Sequence, residues 1–525
     1  MYIPNPPALE SSRRSSLARP RARFDCRPAG SHAALGRVGA TLLLAMVIGG
    51  IPACSGSVVD TGAPVDDEMP YDDIDAGTPK PKTDAGGRAT RDATSPTMPG
   101  ATGRTDAGGT TGGPKPAAGD AGPSTSTPDA AMPGTTVPVG PVTFSKNIRL
   151  NDDTGKTHQS EVTLAAGPDG LVLAGWMDER STRVCGFSFS TDGGLTWSKN
   201  VSIPNSGGQF VGDPAVAIDG GGTMYAICQQ YINPGTSGGI RMMTSTDKGA
   251  TWSAITTIQS APDKPWAGGG QADGTVFVSW LGNPGGIKRS TDHGKTWGPT
   301  QTLGNLVHGT AINTSTTGLV HVPYNADSDR NQLRYLRSKD DGATWEAKRD
   351  LLPDMGTFCF QCNPRQHPIV GQGADPTGKY VAITWASTMT GGEGDDDVWL
   401  IYSKDSGETW TKPIRVNDNK TKSRQFESWV AVDNYGRVHV AWTDYRNGGQ
   451  NETWYARSDD PSKGFEPNIQ VTDGRGSGAT DFLGDYKGIV VQGADVLIIW
   501  QDTRNDSGDI YLARAAGAAG APVAP

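Results

Sequence analysis

Three short stretches of the chain repeat one chemical pattern. Trp176-Met177-Asp178-Glu179-Arg180, Trp442-Thr443-Asp444-Tyr445-Arg446 and Trp500-Gln501-Asp502-Thr503-Arg504 share Trp-x-Asp-x-Arg. A planar guanidinium meets a carboxylate through two parallel hydrogen bonds, so Arg180, Arg446 and Arg504 suit two different tasks. Each can brace its own turn through Asp178, Asp444 or Asp502, or the three can line a surface that grips a ligand. Tyr445, Asp485 and Tyr486 fall near this sector. A second set is ionisable and recurs along the chain: Glu161, Asp213, Lys264, His308, His367, Glu427 and Lys487. Neighbouring carboxylates shift one another's proton affinity far enough for acid–base work. Glu427 and Asp485, with Tyr445, are therefore the candidates for catalysis, and Glu161, Glu427 and Lys487 join the arginines as candidates for ligand binding. The plainer alternative is a ring of solvated charges in which Lys487 pairs with Glu427 and Glu161, and Lys264 with Asp213.

Cysteines and acidic runs offer less. Of six cysteines, Cys26 and Cys54 lie near the N-terminus. Cys359-Phe360-Gln361-Cys362 is a CxxC, which in an exported protein reads first as a loop-pinning disulfide. A metal site on Cys359, Cys362, His367 and His308 is the alternative, but the second pair of a zinc site is absent and no resident metal is expected. Cys185 and Cys228 read as buried thiols. The run Glu393, Asp395, Asp396, Asp397 sits in a Gly-rich stretch and reads as a solvated loop tip, with calcium as the lesser option because no EF-hand spacing is present. No cofactor is expected.

These side chains must be held by repeats. One octapeptide recurs as STDGGLTW from Ser190, STDKGATW from Ser245, STDHGKTW from Ser290, SKDDGATW from Ser338 and SKDSGETW from Ser403, with a worn copy, SDDPSKGF, from Ser458. The pattern suits a hairpin turn: the Asp accepts bonds from the turn's own amides, Gly supplies a positive φ, and the Trp packs between sheets. Each copy lies inside a longer unit of four short alternating runs, the signature of a propeller blade. Units begin near Glu161, Asp213, Lys264, His308, His367, Glu427 and Lys487. The last has no fourth strand, and the segment from Phe144 to Asp152 matches the fourth strand of the fifth unit, from Trp410 to Asp418, almost residue for residue. The sequence thus predicts an all-β, seven-bladed β-propeller over 141–514, closed by an N-terminal strand that completes the last blade and leaves no open sheet edge. A six-bladed ring is the alternative, and 515–525 reads as a flexible Ala/Gly tail.

The octapeptides resemble the Asp boxes of the sialidase-superfamily propellers, and five intact copies make the likeness specific for architecture. The resemblance implies that the boxes are structural. Sialidases proper use three arginines on a substrate carboxylate, an Asp acid/base and a Tyr nucleophile paired with Glu. None of these transfers residue by residue. The Arg-Ile-Pro segment that precedes the first box in that family is missing, and seven blades depart from its six. Arg180, Arg365, Arg446 and Arg504 offer a convergent trio, with Glu427 or Asp485 as partner. Two functions follow as expectations. The first is a surface module binding glycans or proteins through a polar face. The alternative is an exo-acting glycoside hydrolase of sialidase type, which needs two carboxyls, or Tyr with Glu, facing across a pocket.

The N-terminal region sets the compartment. Arg13, Arg14, Arg19, Arg21, Arg23, Arg27 and Arg37 precede the apolar run from Ala40 to Ile51, which reads as an export signal. Ile51-Pro52-Ala53-Cys54 resembles a bacterial lipobox, which implies that 1–54 is a lipoprotein signal and that Cys54 carries the lipid. Residues 55–140 are rich in Gly, Pro, Thr and Asp and cannot bury enough apolar surface to fold. They form a tether with a reach of roughly 50 Å. The expectation is a monomer, held by its lipid at the cell envelope, on the outer membrane, or secreted. A formal charge of −9 with no basic stripe argues against nucleic acid as a partner.

Overall fold

The computed structural model describes residues 140–520 apart from 181–182, 204–209, 234–235, 261–262, 283, 305, 327–331, 360–361, 363, 368, 390–394, 477–481 and 506. The export signal, Cys54, the tether and Glu393 lie outside the described residues. Among the described residues no helix is long and apolar enough to cross a membrane.

Alternating apolar runs become seven antiparallel sheets, six of four strands and one of five in which the innermost strand is broken in two. Blade 1 runs Gln159–Ala166, Val172–Asp178, Val184–Ser190 and Val201–Ile203 from the centre outwards. Blades 2 to 6 have innermost strands Phe210–Ile218, Asp263–Gly269, Leu306–Thr310 with Asn313–Thr314, Gly371–Ala374 and Gln425–Val432. Blade 7 contributes Gly488–Gln492, Asp495–Asp502 and Asp509–Ala515, and its outermost strand is Ile148–Arg149 from the other end of the folded region. Ile148 pairs with Leu512 and Arg149 with Tyr511. Backbone bonds from Ser145 to Arg514 and from Leu150 to Ile510, each 2.8 Å, extend that seam. The seven-bladed ring closes as the repeats predict, and the six-bladed alternative falls.

A strand's side chains alternate between its two faces, so each blade presents two apolar faces, and the core is a series of layers between blades rather than one mass. One layer joins Leu497, Ile499 and Leu512 of blade 7 to Val162, Val172 and Trp176 of blade 1. Another joins Phe277 and Ile287 of blade 3 to Val320, Val322 and Tyr324 of blade 4. The octapeptide tryptophans close these layers from one face: Trp197 packs against the first and Trp345 against the second.

The octapeptide turns make the expected bonds. Asp192 Oδ1 accepts from the Thr196 amide at 2.9 Å, and Asp292 and Asp340 do the same at 2.8 Å. Ser190 Oγ accepts from the Gly194 amide at 2.8 Å, and Gly194 has φ +86°. In blades 1, 3, 4 and 5 the turn also anchors to the loop leaving the innermost strand of its own blade, as in the amide bond from Gly193 to the Gly170 carbonyl at 2.9 Å. The octapeptides therefore share one face with those loops, and the starts of the innermost strands share the opposite face.

Two readings change. Cys185 and Cys228 are not thiols but a disulfide that ties blade 1 to blade 2, both residues fully buried. Strand alternation turns both side chains into the layer between the two blades. Of the Ala/Gly segment expected to be free over 515–525, residues 515–520 pack back on blade 7 instead, and 521–525 lie outside the described residues. Ala518 and Ala519 are buried, and the Ala519 amide donates to the Ala494 carbonyl at 2.9 Å. Side chains this small fit against the sheet where larger ones would not. Cys359 and Cys362 are joined by a disulfide.

Candidate functional site

Six of the seven recurring ionisable residues, Glu161, Asp213, Lys264, His367, Glu427 and Lys487, meet at the centre of the face opposite the octapeptides, and the His308 side chain is not among the described side chains. In blades 1, 2, 3 and 6 the pairing of the innermost strand slips near its start, between Ser160 and Thr163, Gly212 and Ala215, Asp263 and Trp266, and Phe426 and Trp429. Each slip holds one bulged residue, and each bulged residue has the left-handed backbone that non-glycine residues rarely adopt: Glu161 at φ +53°, Asp213 at +48°, Lys264 at +42° and Glu427 at +52°. Strain repeated at four equivalent positions re-aims four ionisable side chains. His367 and Lys487 reach the same zone from the segments preceding their innermost strands.

The side chains then pair across blades. Glu161 Oε2 accepts from the Asp213 amide at 3.1 Å. Lys264 Nζ donates to Asp213 Oδ1 at 3.2 Å, Asp485 Oδ2 at 2.9 Å and the Tyr486 hydroxyl at 3.2 Å. The Tyr486 hydroxyl donates in turn to Asp213 Oδ1 at 2.8 Å. Tyr231 places its hydroxyl 2.6 Å from Asp213 Oδ2 and 2.9 Å from Asp263 Oδ1. Asp485 also receives Arg365, from Nε at 3.2 Å and Nη2 at 3.0 Å, with His367 Nε2 at 3.6 Å. The Asp485 side chain is 1% exposed, so this network caps the central channel.

Glu427 and Lys487 form the less occupied part of the cap. Glu427 Oε2 accepts from Thr443 Oγ1 at 2.8 Å, while its Oε1 is shielded from solvent and has no hydrogen-bond partner in the protein. Lys487 Nζ donates to Thr453 Oγ1 at 3.1 Å, so the expected pairing with Glu427 and Glu161 is replaced by a bond to the neighbouring blade. A cavity of about 10 Å³ lies against Arg365, His367, Glu427 and Asp485, room for roughly one water-sized group. Tyr445 packs edge-on to Phe426, and its hydroxyl is buried without a partner in the protein.

Burial sets the proton affinities. It pushes the Glu161 carboxyl up to about 8, helped by the charge on Asp213, and the Glu427 carboxyl up to about 7 against the pull of Lys487. Burial also lowers the Lys487 ammonium to about 8 despite Glu427. For Asp485, burial opposes the charge, but His367, Lys264 and Arg365 together hold it well below the usual carboxylate range. The cap thus contains carboxyls that titrate near neutrality beside one that stays ionised.

The Trp-x-Asp-x-Arg sector lies at the rim and is occupied by its own blades. Arg180 donates to Asp178 at 2.7 Å, Asp152 at 2.7 Å and Asn200 at 2.8 Å. Arg446 repeats this with Asp444 at 2.9 Å, Asp418 at 2.7 Å and Asn468 at 2.9 Å, and Arg504 with Asp502 at 2.9 Å, Asp473 at 2.5 Å and Asn147 at 2.8 Å. In every case the Asp belongs to the same turn, the Asn begins the outermost strand of the same blade, and the third partner follows the outermost strand of the preceding blade. The brace fastens adjoining blades, and the three arginines share no partner. The sequence reading missed Asn147, Asn200 and Asn468, although each precedes Ile or Val at the start of an outermost strand, and it missed Tyr231. Among the described residues, the one group of metal-capable side chains within reach of one another is Asp219, Asp273 and His293, on the octapeptide face. Both Asp219 oxygens already accept from amides or from Tyr225.

No known protein family's sequence profile matches the chain. A xyloglucanase from a Paenibacillus species is 31% identical over 176 residues, 30% of this chain and 16% of that protein. A sialidase from Clostridium perfringens is 26% identical over 157 residues, 25% of this chain and 41% of the sialidase. The matches therefore span less than half of either relative. Among solved structures, a Dyadobacter fermentans protein of unknown function aligns over 72% of this chain and 100% of its own, at 16% identity and a TM-score of 0.43.

Proposed function

We propose that the chain is an exported, lipid-tethered binding module whose polar face takes a glycan at the centre of the propeller. Cys54 anchors it and 55–140 holds the domain clear of the envelope. Arg365, His367, Glu427 and Asp485 form the socket, with Glu161 and Lys487 behind them. The observation that carries this reading is the unpartnered Glu427 Oε1 beside a cavity fit for a hydroxyl, within a cap where Lys264 and Arg365 satisfy Asp485 and Asp213. Arg180, Arg446 and Arg504 leave the site, because their braces hold the blades together. The relatives' names, a xyloglucanase and a sialidase, favour a sugar over a protein.

A second reading keeps its place on one observation. Burial raises the Glu427 carboxyl to about 7 and raises the Tyr445 phenol, to which the charge on Glu427 adds, and two such groups within electrostatic reach of each other suit acid–base chemistry of sialidase type. The test is a glycan array run beside release assays with sialoside and other glycoside reporters. Capture without turnover supports the module. Turnover abolished by Glu427→Gln supports the hydrolase.

A further inference from the structure

The innermost strands enclose a channel of about 620 Å³, within the roughly 300–1,000 Å³ typical of small-molecule sites. One end lies beneath the cap, where Tyr486 and Lys487 line it. At the other end it is lined by the loops holding Gly167, Gly220, Gln271 and Asn434, on the octapeptide face. It is a well whose mouth points away from the site described above.

We propose that this well is a second binding site, which takes the end of a neutral oligosaccharide. Three features of its wall carry the assignment. Trp266 and Trp429 line it and are only partly buried, so two indole rings are available inside a cavity whose walls are otherwise largely Ala, Gly and Val. Gln372 also lines it. That side chain is 4% exposed, and neither its amide nitrogen nor its amide oxygen has a hydrogen-bond partner in the protein. A buried amide left in that state is costly, and turning it from the wall into the well lets a ligand able to donate and accept at one point relieve both atoms. The third feature is the state of the charges. Lys487 donates to Thr453, and both oxygens of Asp219 accept from Gly221, Thr223, Tyr225 and Gly274.

These features select among ligands. A pyranose has an apolar C–H face that lies on an indole and a rim of hydroxyls that both donate and accept. An apolar molecule would leave Gln372 as it is. A peptide end would bring an ammonium or a carboxylate into a well where Asp219 is already saturated and the charge on Lys487 is opposed by Glu427. A sugar chain's end carries no charge.

The experiment uses the purified protein and follows tryptophan fluorescence and calorimetry while cellotetraose, maltotetraose or mannotetraose is added. Saturable binding of at least one, with a blue shift in tryptophan emission, is the expected result. Gln372→Ala then weakens it at least tenfold. Asn434→Trp, a change at an exposed position on the mouth, blocks it while the thermal midpoint stays at the wild-type value. Glu427→Gln leaves it unchanged, which separates this site from the opposite face. Absence of saturable binding for all three sugars overturns the proposal, as does binding that survives Asn434→Trp but disappears in Glu427→Gln. Preferential capture of a tetrapeptide, blocked by Asn434→Trp, assigns the well to a different ligand class and overturns it equally.

Discussion

The rim and the centre of the face opposite the octapeptides are built from similar residues, chiefly aspartate with arginine or lysine, but they combine them differently. At the rim, blades 1, 6 and 7 repeat one arrangement: Arg180, Arg446 and Arg504 each meet an Asp of their own turn, an Asn of their own blade and one residue of the blade before. Repetition makes each brace self-sufficient, because every blade supplies the same parts. At the centre the equivalent positions hold different residues, Glu161, Asp213, Lys264 and Glu427, and no two are partnered alike: Glu161 and Lys264 reach Asp213 in another blade, Asp213 also meets Tyr231 of its own, and Glu427 meets Thr443 of its own. Identity between repeats therefore marks structure here, and divergence at an equivalent, strained position marks the candidate site.

Three perturbations press on that contrast. The largest effect is expected from Asp485→Ala, which leaves Lys264, Arg365 and His367 without their shared buried partner. Removing one member of such a group costs about 3–5 kcal/mol, so urea denaturation should show a large drop in midpoint. A loss no larger than that of a surface ion pair would mean that the cap is wet and loosely held. A smaller loss, about 1–3 kcal/mol, is expected for Arg504→Ala. It takes the guanidinium from Asp502, whose fully buried side chain keeps the Trp500 indole N–H and the backbone amide of residue 504. Arg504→Lys should recover only part of this, because an ammonium cannot reproduce the three-way fork. Full recovery by Lys would show that charge alone suffices and that the brace geometry is incidental.

The smallest effect is a slope. Glu161 and Glu427 bind protons more tightly in the folded chain than at their ordinary value of 4.5, reaching about 8 and about 7. Folding therefore takes up protons between pH 4.5 and 8, and stability should fall as pH rises through that window. Lys487, lowered to about 8 from an ordinary 10.5, acts in the opposite sense above pH 8. Glu427→Gln should make the decline between pH 5 and 8 shallower, as read from thermal midpoints across that range. A decline unchanged by the substitution would place its source outside Glu427.

The contrast also explains what the sequence could convey. Octapeptide turns, blade number and the closing strand at Ile148–Arg149 are local patterns repeated many times, so each copy supports the others. The position of the cap was legible because seven ionisable residues recur at one point of the repeat. Its wiring was not, since Lys264 reaches Asp485 across 221 residues and Tyr486 reaches Asp213 across 273, and no local pattern records either contact. The braces were half legible. Trp-x-Asp-x-Arg announces the bond between Asp and Arg, but the asparagine partners stand 20 to 22 residues away in blades 1 and 6 and at the opposite end of the domain in blade 7, where Arg504 meets Asn147. The Cys185–Cys228 disulfide was missed for a similar reason: only the packing of blade 1 on blade 2 brings those strands together.

Blade 6 contains both kinds of residue and so permits the most direct measurement. With a glycan whose capture survives Asn434→Trp, affinity and thermal midpoint are compared for Glu427→Gln at the centre and Arg446→Lys at the rim. The account predicts that Glu427→Gln weakens capture at least tenfold, about 1.4 kcal/mol, with little change in midpoint, while Arg446→Lys lowers the midpoint and leaves affinity within about twofold. Affinity lost through Arg446→Lys and retained through Glu427→Gln would contradict it, and would return the binding surface to the rim.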